Sequence, residues 1–193
     1  MSLVTLVSGG LDSTLMSVLA REEGVPLFPL FVDYGQLCSQ REWEACVYVH
    51  KRFELPSPTR MALTGFGKTI PSGLTNKALR VNEDAFLPGR NLLFLLAACS
   101  YAYSKNSNAV AIGLLSADTH IFPDQTKNFI EKAQITFNTA LGREIRIITP
   151  LMGLNKHDVL AMAKRKGIEG TYSCHAGTLP TCGSCIACRQ YID

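Results

Sequence analysis

Two rhythms of apolar spacing alternate along the chain. Residues 3–7 (Leu-Val-Thr-Leu-Val) form a short apolar run ending in Ser8-Gly9-Gly10, and from Leu11 the spacing becomes helical, with Leu15, Val18 and Leu19 on one side. The pattern predicts strand, glycine turn, helix, closed by Glu22-Glu23-Gly24 with Gly24 as C-cap. Residues 27–32 predict a second strand; Pro29 inside it predicts an edge or irregular position, because proline lacks a ladder N–H. Residues 39–54 predict a helix with Trp43, Cys46, Val47 and His50 on one face, His50 reading as a core or surface residue, and residues 58–63 a third strand. Residues 65–84 are polar and rich in Gly, Ser and Asn and predict a long loop, of the kind that is a functional lid or mobile. Residues 91–104 are the longest uncharged apolar stretch, too short to span a bilayer, and predict a buried helix capped by Asn91. A buried strand over residues 109–115, a helix opened by Pro123 and running to about Leu141, a strand over 145–148, and a helix over 156–166 capped by Asn155 and ended by Gly167 complete the series. This alternation predicts an α/β fold: a doubly wound parallel sheet with one active edge at the strands' carboxyl ends.

Composition narrows the picture. With 193 residues, 47% hydrophobic and 18% charged, the chain suits one soluble globular domain with a small appendage, divided here at 1–169 and 170–193. A net charge of +3 makes no case for direct nucleic-acid binding but suits anionic small molecules. Met1 leads straight into the first strand without a signal-peptide pattern, no stretch predicts a membrane span, and the 7 cysteines are an odd number; together these predict a cytoplasmic protein whose cysteines serve metal or redox chemistry rather than disulfides.

The candidate chemistry begins at the first turn. In Ser8-Gly9-Gly10-Leu11-Asp12-Ser13-Thr14 the paired glycines let the backbone approach a ligand, and the hydroxyls of Ser8, Ser13 and Thr14 stand beside the N–H groups of a helix start, an anion site suited to phosphate. Asp12 would repel phosphate, so it either holds magnesium or caps the helix. The bland alternative for Gly-Gly-x-Asp-Ser is a tight turn with an N-cap. Residues 62–69 end in Gly-Lys-Thr but place Ala62 where a Walker A loop needs glycine, and Pro71 follows where its helix should begin. Further on, Pro88-Gly89 is turn chemistry, and Arg90 at a helix start opposes the helix dipole; its partner is either a bound phosphate or carboxylate or a surface salt bridge. Tyr34, Gly35 and Gln36, then Gly113, Asp118 and Asp124, fall at or just past predicted strand ends or a helix start and complete a candidate substrate or nucleotide pocket with Gly89, Arg90 and Asn91.

The tail changes character. Cys174, Cys182, Cys185 and Cys188 are spaced C-x7-C-x2-C-x2-C, which fits a tetrahedral structural zinc site better than a redox pair or an iron–sulfur cluster. Cys38, Cys46 and Cys99 read as isolated packing residues.

The first loop has the Ser-Gly-Gly-x-Asp-Ser form of the PP-loop ATP pyrophosphatases. That loop, Tyr34-Gly35-Gln36, Leu87-Pro88-Gly89-Arg90-Asn91, Leu151-Met152-x-Leu154-Asn155-Lys156 and the four-cysteine tail occur in the order that characterises the QueC family, the 7-cyano-7-deazaguanine synthases, which the chain resembles over essentially its whole length. The resemblance implies ATP with Mg2+, adenylation of 7-carboxy-7-deazaguanine with release of pyrophosphate, displacement of AMP by ammonia, and a second ATP-dependent step from amide to nitrile. It implies pyrophosphate binding by residues 8–14, catalytic roles for Asp12 and Arg90, and a homodimer. Leu37-Cys38 stands where the family has Arg-His, and Phe122-Pro123-Asp124-Gln125-Thr126 where it has Tyr-Pro-Asp-Cys-Arg. Three alternatives stay open: an amide ligase joining the acid to another amine, even on a protein; a non-catalytic nucleotide-binding module; and a thiolating enzyme using Cys38.

Overall fold

The structure is a computed structural model that describes residues 2–190. Five parallel strands form one sheet: β1 (Leu3–Leu6), β2 (Leu27–Asp33), β3 (Thr59–Ala62), β4 (Ala109–Ala111) and β5 (Arg146–Ile148), in the order β3-β2-β1-β4-β5. Leu3 is in register with Leu27, Val4 with Val110 and Ala109 with Arg146. The chain winds outward through β2 and β3, then returns to place β4 on the other side of β1. The direction of winding therefore reverses between β1 and β4, where open α/β sheets form their ligand crevice.

Helices cover both faces, so strand residues of either parity are buried. Val4, Leu6, Leu30, Val32 and Val110 pack under α4 (Arg90–Ser104) and α5 (Lys127–Leu141). Leu3, Leu27, Ala109 and Ala111 pack under α1 (Leu11–Glu22) and α6 (Lys156–Arg165). Phe31 packs with Cys46 of α2 (Ser39–Arg52). Two short helices, α3 (Gly65–Thr69) and α7 (Ile186–Arg189), complete the set. No helix among the described residues is long and apolar enough to cross a membrane.

Several elements differ from the sequence expectation. β2 lies inside the sheet despite Pro29. Leu3 N and Val7 N donate to the Pro26 and Leu30 carbonyls, and Leu63 N donates to Asp33, so the even positions of β2 face β1 and the odd ones face β3. Pro29's missing donor thus points toward β3, whose pairing begins only at Leu30. β4 ends at Ala111 rather than at 115. The helix foreseen from Pro123 is a turn of 3-10 helix (Pro123–Gln125), and α5 starts afresh at Lys127 with the Thr126 hydroxyl accepting from Phe129 N at 3.2 Å. The stretch expected as a loop over 65–84 opens with α3 and is pinned by Leu74 O, which accepts from Leu37 N at 2.8 Å, and by the buried Leu74 side chain. On α2, Val47 is exposed, whereas His50 is buried with its Nδ1 2.7 Å from the Pro56 carbonyl.

Candidate active site

The carboxyl ends of β1 and β4, the starts of α1 and α4, and the cysteine-rich tail enclose a cavity of ≈ 310 Å³. Its floor is the turn after β1. Gly10 is the N-cap of α1, and the hydroxyls around it form a closed set: Gly10 N donates to Ser8 Oγ at 3.2 Å, Ser8 N to Ser13 Oγ at 3.2 Å, and Thr14 Oγ1 to the Gly10 carbonyl at 2.8 Å. These bonds hold the first turn of α1 open toward the cavity, where helix N–H groups lack intrahelical partners. Ser8, Gly10, Leu11, Asp12 and Ser13 line it. Gly9 faces the other way at φ +76°; a Cβ there would stand 2.4 Å from the Glu42 carbonyl oxygen, so only glycine lets α2 sit against the loop. Gly113 lies against the Asp12–Ser13 peptide, where an added Cβ would be 3.5 Å from Ser13 N.

Asp12 does not cap the helix. Its Oδ1 accepts from Lys156 Nζ at 2.8 Å, with both side chains largely buried. Asn91 does not cap α4 either: Gly89 does, at φ +75°, while Asn91 Nδ2 donates to the Asp124 carbonyl at 2.9 Å. Asp124 therefore braces the start of α4, its Oδ2 accepting from Asn91 N at 3.3 Å, instead of lining the cavity. Asp118 is exposed and bonded to the Ser116 hydroxyl; Thr119, next to Asp118, and Gln125, next to Asp124, line the cavity instead. Gly35 packs against Thr64, while Tyr34, Gln36, Arg90 and Asn91 line the cavity. Among the described residues Arg90 forms no salt bridge. Its charge acts on the Tyr34 hydroxyl, whose pKa burial raises, and on Glu42 and His175.

Glu42, Lys156, Ser173 and His175 line the same cavity; Glu42 and Ser173 carry no sequence signal, Lys156 stands in the Leu151–Lys156 motif without a predicted role, and His175 reads from the sequence only as a candidate substitute metal ligand. Lys156 carried a signal: like Arg90, it is a cation at the first position of a helix, opposed by the dipole. Burial pushes the His175 pKa down to about 4, with Arg90 adding to the effect, so the ring is neutral, and its Nδ1 is buried without a hydrogen-bond partner.

Cys174, Cys182, Cys185 and Cys188 bring their sulfurs within 4.8 Å of one another, none in a disulfide. A tetrahedral metal with bonds of ~2.3 Å spaces its sulfurs about 3.8 Å apart, and Cys182 Sγ is 3.9 Å from Cys188 Sγ. Backbone N–H groups of Cys182, Cys185 and Cys188 point at sulfurs at 3.3 Å, 3.4 Å and 3.4 Å. Desolvation opposes ionisation of Cys174, but the bonds from Cys182, Ala176 and Thr178 outweigh it and hold its pKa at about 6, whereas burial pushes Cys188 up to about 12. The set fits a bound metal cation. Because Ser173 and His175 flank Cys174, and Ile186 and Ala187 lie between Cys185 and Cys188, the same knot forms a wall of the cavity. Cys38 is buried, its thiol pushed far up by burial and then by Glu42, which removes it as a reactive thiol.

Known proteins with this organisation agree with the geometry. Residues 2–191 match the family described as "Queuosine biosynthesis protein QueC". A 7-cyano-7-deazaguanine synthase of Prochlorococcus marinus subsp. pastoris is 32% identical over 206 residues, covering 97% of this chain and 90% of that protein. One from Campylobacter curvus is 31% identical over 198 residues, covering 96% and 89%. In fold, the chain resembles the NH3-dependent NAD synthetase of Campylobacter jejuni at a TM-score of 0.56 and 16% identity, covering 87% of this chain and 65% of that one. It also resembles a predicted tRNA methyltransferase subunit of Methanocaldococcus jannaschii, at a TM-score of 0.56 and 16% identity over 85% and 75% of the two chains. With the loop after β1, Arg90 and the four-cysteine knot all in place, the chain belongs to the QueC family.

Proposed function

We propose that this protein is a 7-cyano-7-deazaguanine synthase that spends ATP to turn 7-carboxy-7-deazaguanine and ammonia into the nitrile. The observation that carries the reading is the open start of α1, with two cations, Arg90 and Lys156, on the walls of the same cavity. A carboxylate resists attack by ammonia because its leaving group would be oxide. Attack of a carboxylate oxygen on the α-phosphorus of ATP forms an acyl adenylate and expels pyrophosphate. Ammonia adds, a proton is lost, and AMP leaves with the former carboxylate oxygen, giving the amide. The amide oxygen repeats the attack on a second ATP, expelling pyrophosphate, and loss of AMP and both nitrogen-bound protons leaves the nitrile. Each of the two carboxylate oxygens thus departs on an AMP.

In this reading the chain supplies binding and charge stabilisation, not a nucleophile. Ser8, Gly9, Gly10, Leu11, Ser13 and Thr14 form the pyrophosphate cradle, with Gly9 and Thr14 shaping it from behind. Arg90 and Lys156 offset the charge that builds on the leaving pyrophosphate. Asp12, whose carboxylate already faces one cation, is the acid placed to take a second, the magnesium ion that accompanies ATP. Tyr34, Gln36, Asn91 and Gly113 shape the substrate end. The cysteines hold a structural zinc ion, which supplies fold rather than chemistry; residues 170–193 act as a metal-tied appendage to an ATP-binding domain over 1–169, in a cytoplasmic enzyme.

The test is incubation with ATP, Mg2+, 7-carboxy-7-deazaguanine and ammonium, followed by mass spectrometry of nucleotides and bases. AMP with the nitrile supports the synthase. AMP with product halted at the amide, or joined to another amine, points to an amide ligase, and no AMP above background rejects the enzymatic reading.

A further inference from the structure

The cavity contains a half-buried acid that the scheme above does not use. Glu42 stands in the first turn of α2 and lines the cavity. Its Oε2 accepts from Gln36 Nε2 at 3.0 Å, while the charge of Arg90 acts on it through space. Gln36 is itself fixed, its Oε1 accepting from Tyr34 N at 3.0 Å. A carboxyl drawn out of bulk water is costly unless donors satisfy it, and one neutral donor, Gln36, leaves most of its four-site acceptor capacity unspent. An acid here also repels a phosphate, so it serves the other end of the substrate. The wall beside it is aromatic: the Tyr34 and Phe94 rings pack with centroids 5.3 Å apart, both lining the cavity. An aromatic wall with a carboxyl at its edge is the chemistry that receives a planar heterocycle bearing adjacent N–H donors.

We propose that Glu42 is the specificity-determining residue for the base, its carboxylate accepting from the ring N1–H and the exocyclic 2-amino group of a guanine-type heterocycle while Gln36 holds it in place. The proposal rests on the reading of the substrate as a deazaguanine. Its test needs no turnover: calorimetric titration of the full chain and of Glu42→Gln with 7-deazaguanine and with 7-deazahypoxanthine, which lacks the 2-amino group. The native protein should prefer 7-deazaguanine by at least about tenfold, since an unmet buried acceptor is penalised. Glu42→Gln should melt at the native temperature and reduce the preference to about threefold or less. If Glu42→Gln does not fold, Glu42→Asp keeps the charge and shortens the reach by one methylene; it weakens the preference if the carboxylate makes the contact. A preference that survives in the folded variant, or a native protein that binds both bases equally or neither, overturns the assignment. A Glu42-dependent preference alongside a failed synthase assay would retain the base site and reject the reaction; the converse would retain the reaction and reject Glu42.

Discussion

Lys156 Nζ lies 2.8 Å from Asp12 Oδ1, across 144 positions of sequence. The contact ties the first residue of α6 to the first turn of α1 and sets a cation at the floor of the cavity. A lysine at a helix start is disfavoured by the dipole, and the Asp12 carboxylate offsets that cost. Lys156→Met keeps the length of the stem and removes the charge. Pyrophosphate release should fall about 100-fold, ~2.7 kcal/mol of transition-state stabilisation, with the melting temperature little changed. A loss under threefold would mean that Lys156 only orients Asp12.

Gly9 is predicted to tolerate no side chain. At φ +76° an added Cβ meets the Glu42 carbonyl oxygen at 2.4 Å and Cys46 N at 2.6 Å, both backbone atoms. Gly9→Ala should cost about 3 kcal/mol or more, from left-handed strain and forced separation of α2 from the loop. Urea unfolding measures it.

Metal removal should loosen the tail and the cavity wall together. One metal ion per chain is expected by elemental analysis. Cys185→Ser, at a fully buried ligand position, should lower the melting temperature by ~6–12 °C, taking the lost site as worth on the order of 3 kcal/mol. Nucleotide binding should weaken in the same variant, because Ser173 and His175 are positioned by Cys174.

Stability should fall as the solution is acidified below the ordinary histidine range, and His50 should account for part of the slope. Burial lowers its pKa from 6.5, its Nδ1 bond to Pro56 opposing weakly. Above pH 6.5 both folded and unfolded chains hold the ring neutral and the stability is fully present. Between 6.5 and the lowered folded value only the unfolded chain takes up the proton, so stability drops through that window. His50→Gln should flatten the curve of melting temperature against pH there.

Cys38, Cys46 and Cys99 should resist alkylation in the native protein. All three are buried, and burial pushes the Cys46 and Cys99 thiols up to about 12 and that of Cys38 still higher. Peptide mapping after iodoacetamide treatment at pH 8 should find them unmodified; rapid labelling of Cys38 would reopen a thiol-based mechanism.

Features set by local spacing were legible in the chain. The loop after β1 follows from two glycines between an apolar run and a helical repeat, and the cysteine knot from its own spacing. Arg90 was flagged by its conflict with a helix dipole, although its partners, Tyr34 and Glu42, come from distant segments. Features set by tertiary pairing were not legible. Pro29 suggested an edge strand because the sequence does not say that β3 starts one residue too late to need its N–H. Asp118, past a strand end, and Asp124, at a predicted helix start, read as pocket residues, but one faces solvent and the other turns its Oδ2 to the start of α4. His175 reads from the sequence only as a substitute metal ligand, because adjacency to Cys174 says nothing about which cavity its side chain faces.

The central claim is that the acid's own oxygen attacks ATP at its α-phosphorus. The most direct measurement uses 7-carboxy-7-deazaguanine labelled with oxygen-18 in its carboxylate, turned over with unlabelled ATP, Mg2+ and ammonium, and follows the label by mass spectrometry. The account predicts one labelled oxygen in each AMP formed, and unlabelled pyrophosphate. Label in inorganic phosphate with ADP as the nucleotide product, or unlabelled AMP, would contradict it.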